Sequence, residues 1–491
     1  MNYGIVFRLL ALILVAIAAA LGASLAVGLL LPPETGEAPA VRGLEASAAI
    51  ALTLALVFFR LGRRGGTAIF HKEALAVIGL GWLLASLIGA VPYYLSIEKL
   101  SFADAFFESA SGFTTTGASV FARTETLPGA LLFWRSLTQW IGGLGVVVFF
   151  VAVLSFLGAG AKVLFSREYS GSSADLFDGR MQTGALRIMV LYLALSALCA
   201  VAFRLAGLGW FDAVCHMFTT VSTGGFSTLS GSLGAFENPA VEWVAVVFMV
   251  LCGTSFLALL RCLRGKGLRP LRDNAEAKTF LGIFVGGSLF LLLFLSAADP
   301  APLAGNVRDA VFQTASILTT TGYSTADFGV WPNPAQILLL LLMIAGGCSG
   351  STAGGIKVFR VVVGLRAVVR QLEHAFRPHV VRPIRINGRT LADAELRDIT
   401  AFLVLGGFVL LASVLLVSVL EPELAPLDVF SATVACLFNV GPGLGAVGPT
   451  ETYAFFGDAT KVHLALLMIM GRLEFFAVLV LLAPSLWKRF S

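Results

Sequence analysis

Four segments of the 491-residue chain repeat one arrangement: an Asp, an apolar run and a Thr/Ser/Gly turn. They read DAFFESASGFTTTGAS from Asp104, DAVCHMFTTVSTGGFS from Asp212, DAVFQTASILTTTGYS from Asp309 and DVFSATVACLFNVGPG from Asp428. In each, a Gly stands thirteen residues after the Asp, so that the turns are Thr115-Thr116-Gly117, Thr223-Gly224-Gly225, Thr320-Thr321-Gly322 and Asn439-Val440-Gly441. The chemistry open to such turns is coordination. Four copies around one axis would aim backbone carbonyls at a common line, where they replace the hydration shell of a monovalent cation. Gly supplies the positive φ that lets successive carbonyls face the same way. One T-T-T-G alone reads as a turn and one G-G as helix packing; four copies at one offset argue for the shared role.

The elements that hold these turns must span a membrane. The chain is 57% hydrophobic and 13% charged, with mean hydropathy +0.89, whereas a soluble protein carries about 25% charged residues. The apolar runs are long and lack the ten-residue alternation of an outer-membrane barrel, so the fold class is an all-α polytopic membrane protein. A soluble enzyme, a disulfide-stapled secreted domain and a nucleic-acid binder are excluded. The six Cys show no C-x-x-C spacing, which gives no zinc site and no disulfide framework. The 52 Gly are many for a helical protein.

Apolar runs lie near 5–31, 44–61, 74–97, 130–157, 184–207, 239–260, 279–298, 335–369, 399–420 and 461–487. The first is too long for a signal-peptide core and reads as a retained helix. Ten spans return both termini to one side. Basic residues cluster on that side (Arg60, Arg63, Arg64 and Lys72; Arg261 to Lys278; Arg360 to Arg397), which places both termini in the cytoplasm. The opposite loops are acidic. Acidic loops would concentrate cations at a pore mouth or serve only as solvated connections.

Between the Asp and the first Thr or Ser of each turn lie about ten residues, ~15 Å of helix, half of the ~30 Å hydrocarbon thickness. Each segment is therefore a re-entrant helix that enters from outside and returns through extended backbone, with its C-terminal dipole end directed at mid-membrane, where it favours a cation. The Asp is placed to cap the outer N-terminus; ion binding by the Asp is the alternative.

The run 335–369 is too long for one span, and its centre is Gly346-Gly347-Cys348-Ser349-Gly350-Ser351-Thr352-Ala353-Gly354-Gly355. This composition argues for a break in the helix. Close packing through Gly346, Gly350 and Gly354 at spacing four is the other reading. Lys357 and Arg472 are costly in lipid and face a pore or a partner carboxylate. Glu474, at i+2 from Arg472, faces elsewhere. Arg135 and Glu242, near span ends, read as snorkelling side chains, and His216 as a packed or hydrogen-bonded residue. Gly443 to Gly448 satisfies G-x-G-x-x-G, but no strand precedes it, so no dinucleotide site is expected.

In its four turns and its Gly-rich break the chain resembles the Trk/Ktr/HKT superfamily of potassium transporters, of the TrkH type, over nearly its whole length. The resemblance implies four fused helix–pore-loop–helix repeats around a central pore plus two extra N-terminal transmembrane helices. The division is 1–65 for those two helices, then 66–165, 166–270, 271–385 (carrying an intramembrane gating loop at 346–355) and 386–491 for the four repeats. It implies potassium as substrate at the twelve turn residues named above, and Gly117, rather than Ser, is associated with potassium over sodium. The fourth turn, NVGPGLGAVG, departs from the Thr-rich pattern. The gate implied comprises Gly346, Gly347, Gly350, Ser351, Gly354, Gly355, Lys357 and Arg472. Also implied are a homodimer, a ring of cytoplasmic nucleotide-binding regulatory subunits of the TrkA kind, and location in the bacterial cytoplasmic (inner) membrane.

The function expected is channel-like potassium uptake with no covalent cofactor and no catalytic residue. The alternative is a secondary carrier, a symporter coupling potassium or sodium movement to protons or sodium. Four re-entrant turns on one side, rather than an inverted pair, favour the pore. An intramembrane hydrolase would need an Asp dyad or Ser–His pair that the spans lack.

Overall fold

The computed structural model describes residues 1–31, 37–63, 71–145, 181–298, 302–380 and 383–487. The second half of the expected span 130–157 lies outside these residues, as does the stretch up to 180. Among the described residues, six helices are long and apolar enough to cross a membrane: Tyr3–Leu30, Glu37–Gly62, Lys72–Ser96, Leu186–Leu205, Ala275–Ala298 and Asp393–Leu420.

The last four of these are each followed by a shorter helix: Phe102–Phe113, Trp210–Val221, Leu303–Leu318 and Pro426–Leu437. Three of the short helices have 12 residues and one has 16, which at 1.5 Å per residue is about 18–24 Å. They are buried on nearly all sides; in the first, every residue from Ala105 to Phe113 is buried. A helix without a polar face is stable only inside other protein, and here the longer helices enclose it.

The expected Asp cap holds in the first short helix alone. There Ser101 and Asp104 form a reciprocal capping box, with Asp104 also paired to Lys461 at 2.6 Å. In the others the Asp instead ties the helix to its own return loop: Asp212 accepts from the Thr228 hydroxyl at 2.7 Å, Asp309 from Thr325 at 3.5 Å, and Asp428 from the Ala446 amide at 3.2 Å. In the third unit the helix starts at Leu303, six residues before its Asp, which removes Asp309 from the terminus.

The expected spans 239–260 and 461–487, which leave the second and fourth turns, are each bent. Pro239–Gly253 continues into Phe256–Gly265 at 93°, and Asp458–Arg472 into Phe476–Leu482 at 116°. Asn333–Ala345 stops at Gly346, and helix resumes only at Val358–Phe376. The eighth run is thus interrupted by an irregular loop, and the reading of Gly346, Gly350 and Gly354 as a continuous helical packing stripe is overturned.

The first two helices pack on one another and on the first unit. Glu37, buried, turns its carboxylate onto the free N-terminal amides of helix Gly129–Leu144, accepting from Gly129 at 2.6 Å and Ala130 at 3.2 Å. An anion at a helix N-terminus satisfies unpaired donors and the dipole together. All six Cys are free thiols.

Candidate ion pathway

Each short helix ends in the same hydrogen-bond pattern. The amides of Thr115 and Thr116 bond the carbonyls of Gly112 and Ser111; those of Thr223 and Gly224 bond Thr220 and Thr219; those of Thr320 and Thr321 bond Ile317 and Ser316; those of Asn439 and Val440 bond Cys436 and Ala435. This 5→2, 6→1 pairing is the Schellman motif, which needs a left-handed residue after the helix cap. That residue is Thr115, Thr223, Thr320 and Asn439, with φ of 53°, 55°, 54° and 56°. Three β-branched side chains in the left-handed region are strained, each by about 1–2 kcal/mol, and such strain collects where function needs a fixed backbone.

Two residues on, the backbone turns positive again at Gly117, Gly225, Gly322 and Gly441, with φ of 86°, 80°, 82° and 98°. These four glycines lock the turns into a closed ring. A Cβ on Gly117 would lie 2.4 Å from the Gly224 carbonyl oxygen, one on Gly225 1.8 Å from that of Thr321, one on Gly322 2.0 Å from that of Val440, and one on Gly441 2.6 Å from that of Thr116. Each turn therefore presses its Gly against the carbonyl just before the Gly of the next, in the order one, two, three, four and back to one.

On one side of the ring is a cavity of about 340 Å³ lined by all four glycines together with Ser119, Ser227 and Ser324. Among its lining residues Glu451 is the lone carboxylate. On the other side lies the loop 346–355. The Gly354 amide donates to the Thr320 hydroxyl at 2.6 Å, the Gly355 amide to the Phe438 carbonyl at 3.0 Å, and the Thr352 hydroxyl to the Val221 carbonyl at 3.1 Å. The loop is thus seated on the ends of the second, third and fourth short helices. Positive φ at Gly346, Gly350 and Gly355 shapes it, and Gly347 lets the Ala353 side chain approach. The Ser351 hydroxyl closes an internal turn onto the Cys348 carbonyl at 2.6 Å.

Arg472 is buried, and its Nη1 donates to the Thr352 carbonyl at 2.7 Å; its Nε and Nη2 have no hydrogen-bond partner among the described residues. A positive charge is therefore fixed against the loop. Lys357 folds back onto the Ala353 carbonyl. Glu474 turns away from Arg472, as its spacing predicts, and pairs with Arg360.

Several residues of the pathway escape a reading by motif. Gln139 brackets the second turn, donating to the Gly224 carbonyl at 2.7 Å and accepting from the Phe226 amide at 3.1 Å. The Tyr453 hydroxyl donates to the Gly441 carbonyl at 2.8 Å; Asn439, a turn residue that the motif did name, bridges the Thr116 hydroxyl and the Met468 carbonyl at 2.9 Å each. Glu276 accepts from the amides of Ser349 and Phe359 at 2.5 and 3.2 Å, and so ties the loop 346–355 to the helix that follows it. Of these, Gln139 is a buried polar residue inside an apolar run, 130–157, whereas Glu276 and Tyr453 lie outside the runs and carry no such signal.

The snorkelling expected of Arg135 and Glu242 is wrong. Both are buried: Arg135 pairs with Glu108 at 2.6 Å, and Glu242 with Arg308 at 3.0 Å. Each found a partner inside the protein, which satisfies the charge without reaching the interface. His216 is packed as expected, its ring nitrogens 2.8 Å from the Asp212 carbonyl and 3.0 Å from the Ser227 hydroxyl.

Comparison with known proteins agrees with this architecture. The family TrkH, described as a cation transport protein, matches residues 64–489. The Trk system potassium uptake protein TrkH of Halomonas elongata is 36% identical over 426 residues, covering 85% of this chain and 86% of that protein. The TrkH of Escherichia coli K12 is 32% identical over 444 residues, covering 89% and 91%. The crystal structure of the potassium transporter TrkH from Vibrio parahaemolyticus superimposes with a TM-score of 0.88 at 30% identity, over 99% of this chain and 100% of that one.

Proposed function

The chain belongs to the TrkH cation transport family, a family of polytopic membrane transporters and not of enzymes, and from that premise we propose that it takes up potassium across the bacterial cytoplasmic membrane through the ring of four turns. The observation that supports the reading is the closed ring of Gly-to-carbonyl approaches, in which each turn's Gly abuts a carbonyl of the next. Potassium enters from the cavity, exchanges its hydration shell for the carbonyls of Thr115, Thr116, Gly117 and their counterparts in the other turns, and is favoured there by four helix C-termini. The loop 346–355, with Lys357 and Arg472, obstructs the path below and must move for conduction. No chemical step is required, since the membrane potential supplies ~2.3 kcal/mol per charge per 100 mV.

The same reading places both termini in the cytoplasm. It gives the chain a homodimeric partner and a cytoplasmic nucleotide-binding regulatory subunit of the TrkA kind, which would act on the loop through the helix Val358–Phe376 that leaves it. The two bent helix pairs are a feature that carriers share, so a proton- or sodium-coupled carrier is the second reading. Currents from protein in planar bilayers separate the two: unitary potassium currents are expected, and saturable uptake that stops without a proton or sodium gradient would overturn the channel-like mechanism.

A further inference from the structure

Between its first and second turns the ring is bordered by a buried ion pair. Glu108 is fully buried on the first short helix, and its carboxylate accepts from Arg135 Nε at 2.6 Å, from the Ser119 hydroxyl at 3.0 and 3.1 Å, and from the Val120 amide at 3.0 Å. Arg135 in turn donates Nη1 to the Ser227 carbonyl at 3.0 Å and lays its guanidinium 3.5 Å from the centre of the Phe226 ring. Ser119 and Ser227 each stand two residues beyond a ring glycine, Gly117 and Gly225. The pair therefore joins the first and second turns just where they leave the ring.

The other units show what this position does. Glu108, His216 and Gln313 each lie four residues after the Asp of their segment. Glu108 bonds Ser119, His216 bonds Ser227 at 3.0 Å, and Gln313 reaches Thr325 at 3.5 Å. All three fasten a returning strand to its own short helix. The fourth unit has Ala432 there, and the Ser431 hydroxyl takes over by bonding both the amide and carbonyl of Leu444. Only in the first unit is the fastening group charged and extended, through a rigid guanidinium, to a neighbouring unit. A buried ion pair adds little net stability, because desolvation offsets the attraction; the planar fork of Arg fixes distance and direction instead.

We infer that Glu108 and Arg135 are positioning residues for ion selectivity, setting the separation of the first and second turns and so the fit of the ring to potassium over sodium. The inference rests on the reading of the four turns as the selectivity filter.

Full-length Glu108→Gln, Arg135→Lys and Phe226→Leu proteins, reconstituted in liposomes, are compared with wild type by the potassium-to-sodium permeability ratio. Glu108→Gln keeps the side-chain shape and removes the charge, and the ratio is expected to fall by about tenfold while total cation flux persists, within the range that changes to a contiguous network produce. Phe226→Leu leaves the ion pair and removes its platform, and carries the test if a charge variant does not assemble. Equal losses of potassium and sodium flux with the ratio unchanged would mark a merely structural pair and overturn the inference. Gly117→Ser run alongside separates the two levels. If it lowers the ratio and the three variants do not, this inference alone falls; if it too leaves the ratio unchanged, the filter reading falls and this inference with it.

Discussion

Gly225 and Thr321, from different turns, meet so closely that a Cβ on the glycine would lie 1.8 Å from the threonine carbonyl oxygen. Real atoms do not overlap to that degree, so any side chain at Gly225 must push the second and third turns apart. Gly225 also has φ of +80°, which an L-residue adopts at a cost of about 1–2 kcal/mol. Gly225→Ala is expected to lower the thermal midpoint of the purified protein and to abolish most rubidium uptake in a potassium-uptake-deficient bacterial host. Normal uptake would show that the ring does not conduct.

Gly354 sits where the loop 346–355 meets the same structure. A Cβ there would sit 2.5 Å from the Phe438 carbonyl oxygen and 3.1 Å from Asn439 Cβ, so Gly354→Ala must displace the loop from its seat. If the loop obstructs the path, displacing it raises potassium flux several-fold, on the order of the 5–150-fold typical of a coupled equilibrium. Liposome flux assays read this directly, and a folded variant with unchanged or lower flux would remove the gating role from 346–355.

Glu37 offers a contrast, because it works far along the chain from the ring. Its carboxylate caps helix Gly129–Leu144, and removing a helix cap costs about 0.5–2 kcal/mol. Glu37→Ala is expected to lower the unfolding midpoint in detergent by about 0.5–2 °C with the potassium-to-sodium ratio unchanged. A shift in that ratio would mean that the N-terminal helices tune the ring.

The repeat was legible in the sequence because its demands are local. A Schellman end and a positive-φ residue call for a fixed spacing from helix to Gly, and that spacing recurs at Gly117, Gly225, Gly322 and Gly441. The break at 346–355 was legible for a related reason, since glycine-rich backbone makes poor helix. What did not show was anything that depends on a partner distant in the chain. Arg135 near a span end looks like a snorkelling side chain until Glu108, 27 residues away, is seen to turn inward to meet it. Asp309 looks like a cap until the helix is found to start six residues earlier. The bends after Gly253 and Arg472 fall inside runs whose hydropathy is continuous, and apolarity carries no record of direction. Gln139 and Tyr453 hold ring carbonyls from helices and loops that no motif marks.

The central claim is that the four turns form one potassium-selective ring, and Gly117 is the position at which a small change tests it. A Ser there would keep the turn polar while straining its positive φ and placing its Cβ 2.4 Å from the Gly224 carbonyl oxygen. The decisive measurement is the potassium-to-sodium permeability ratio of the reconstituted Gly117→Ser protein, taken from reversal potentials under bi-ionic conditions. The account predicts that sodium permeability rises towards that of potassium; a ratio equal to wild type, in protein that still conducts, would contradict it.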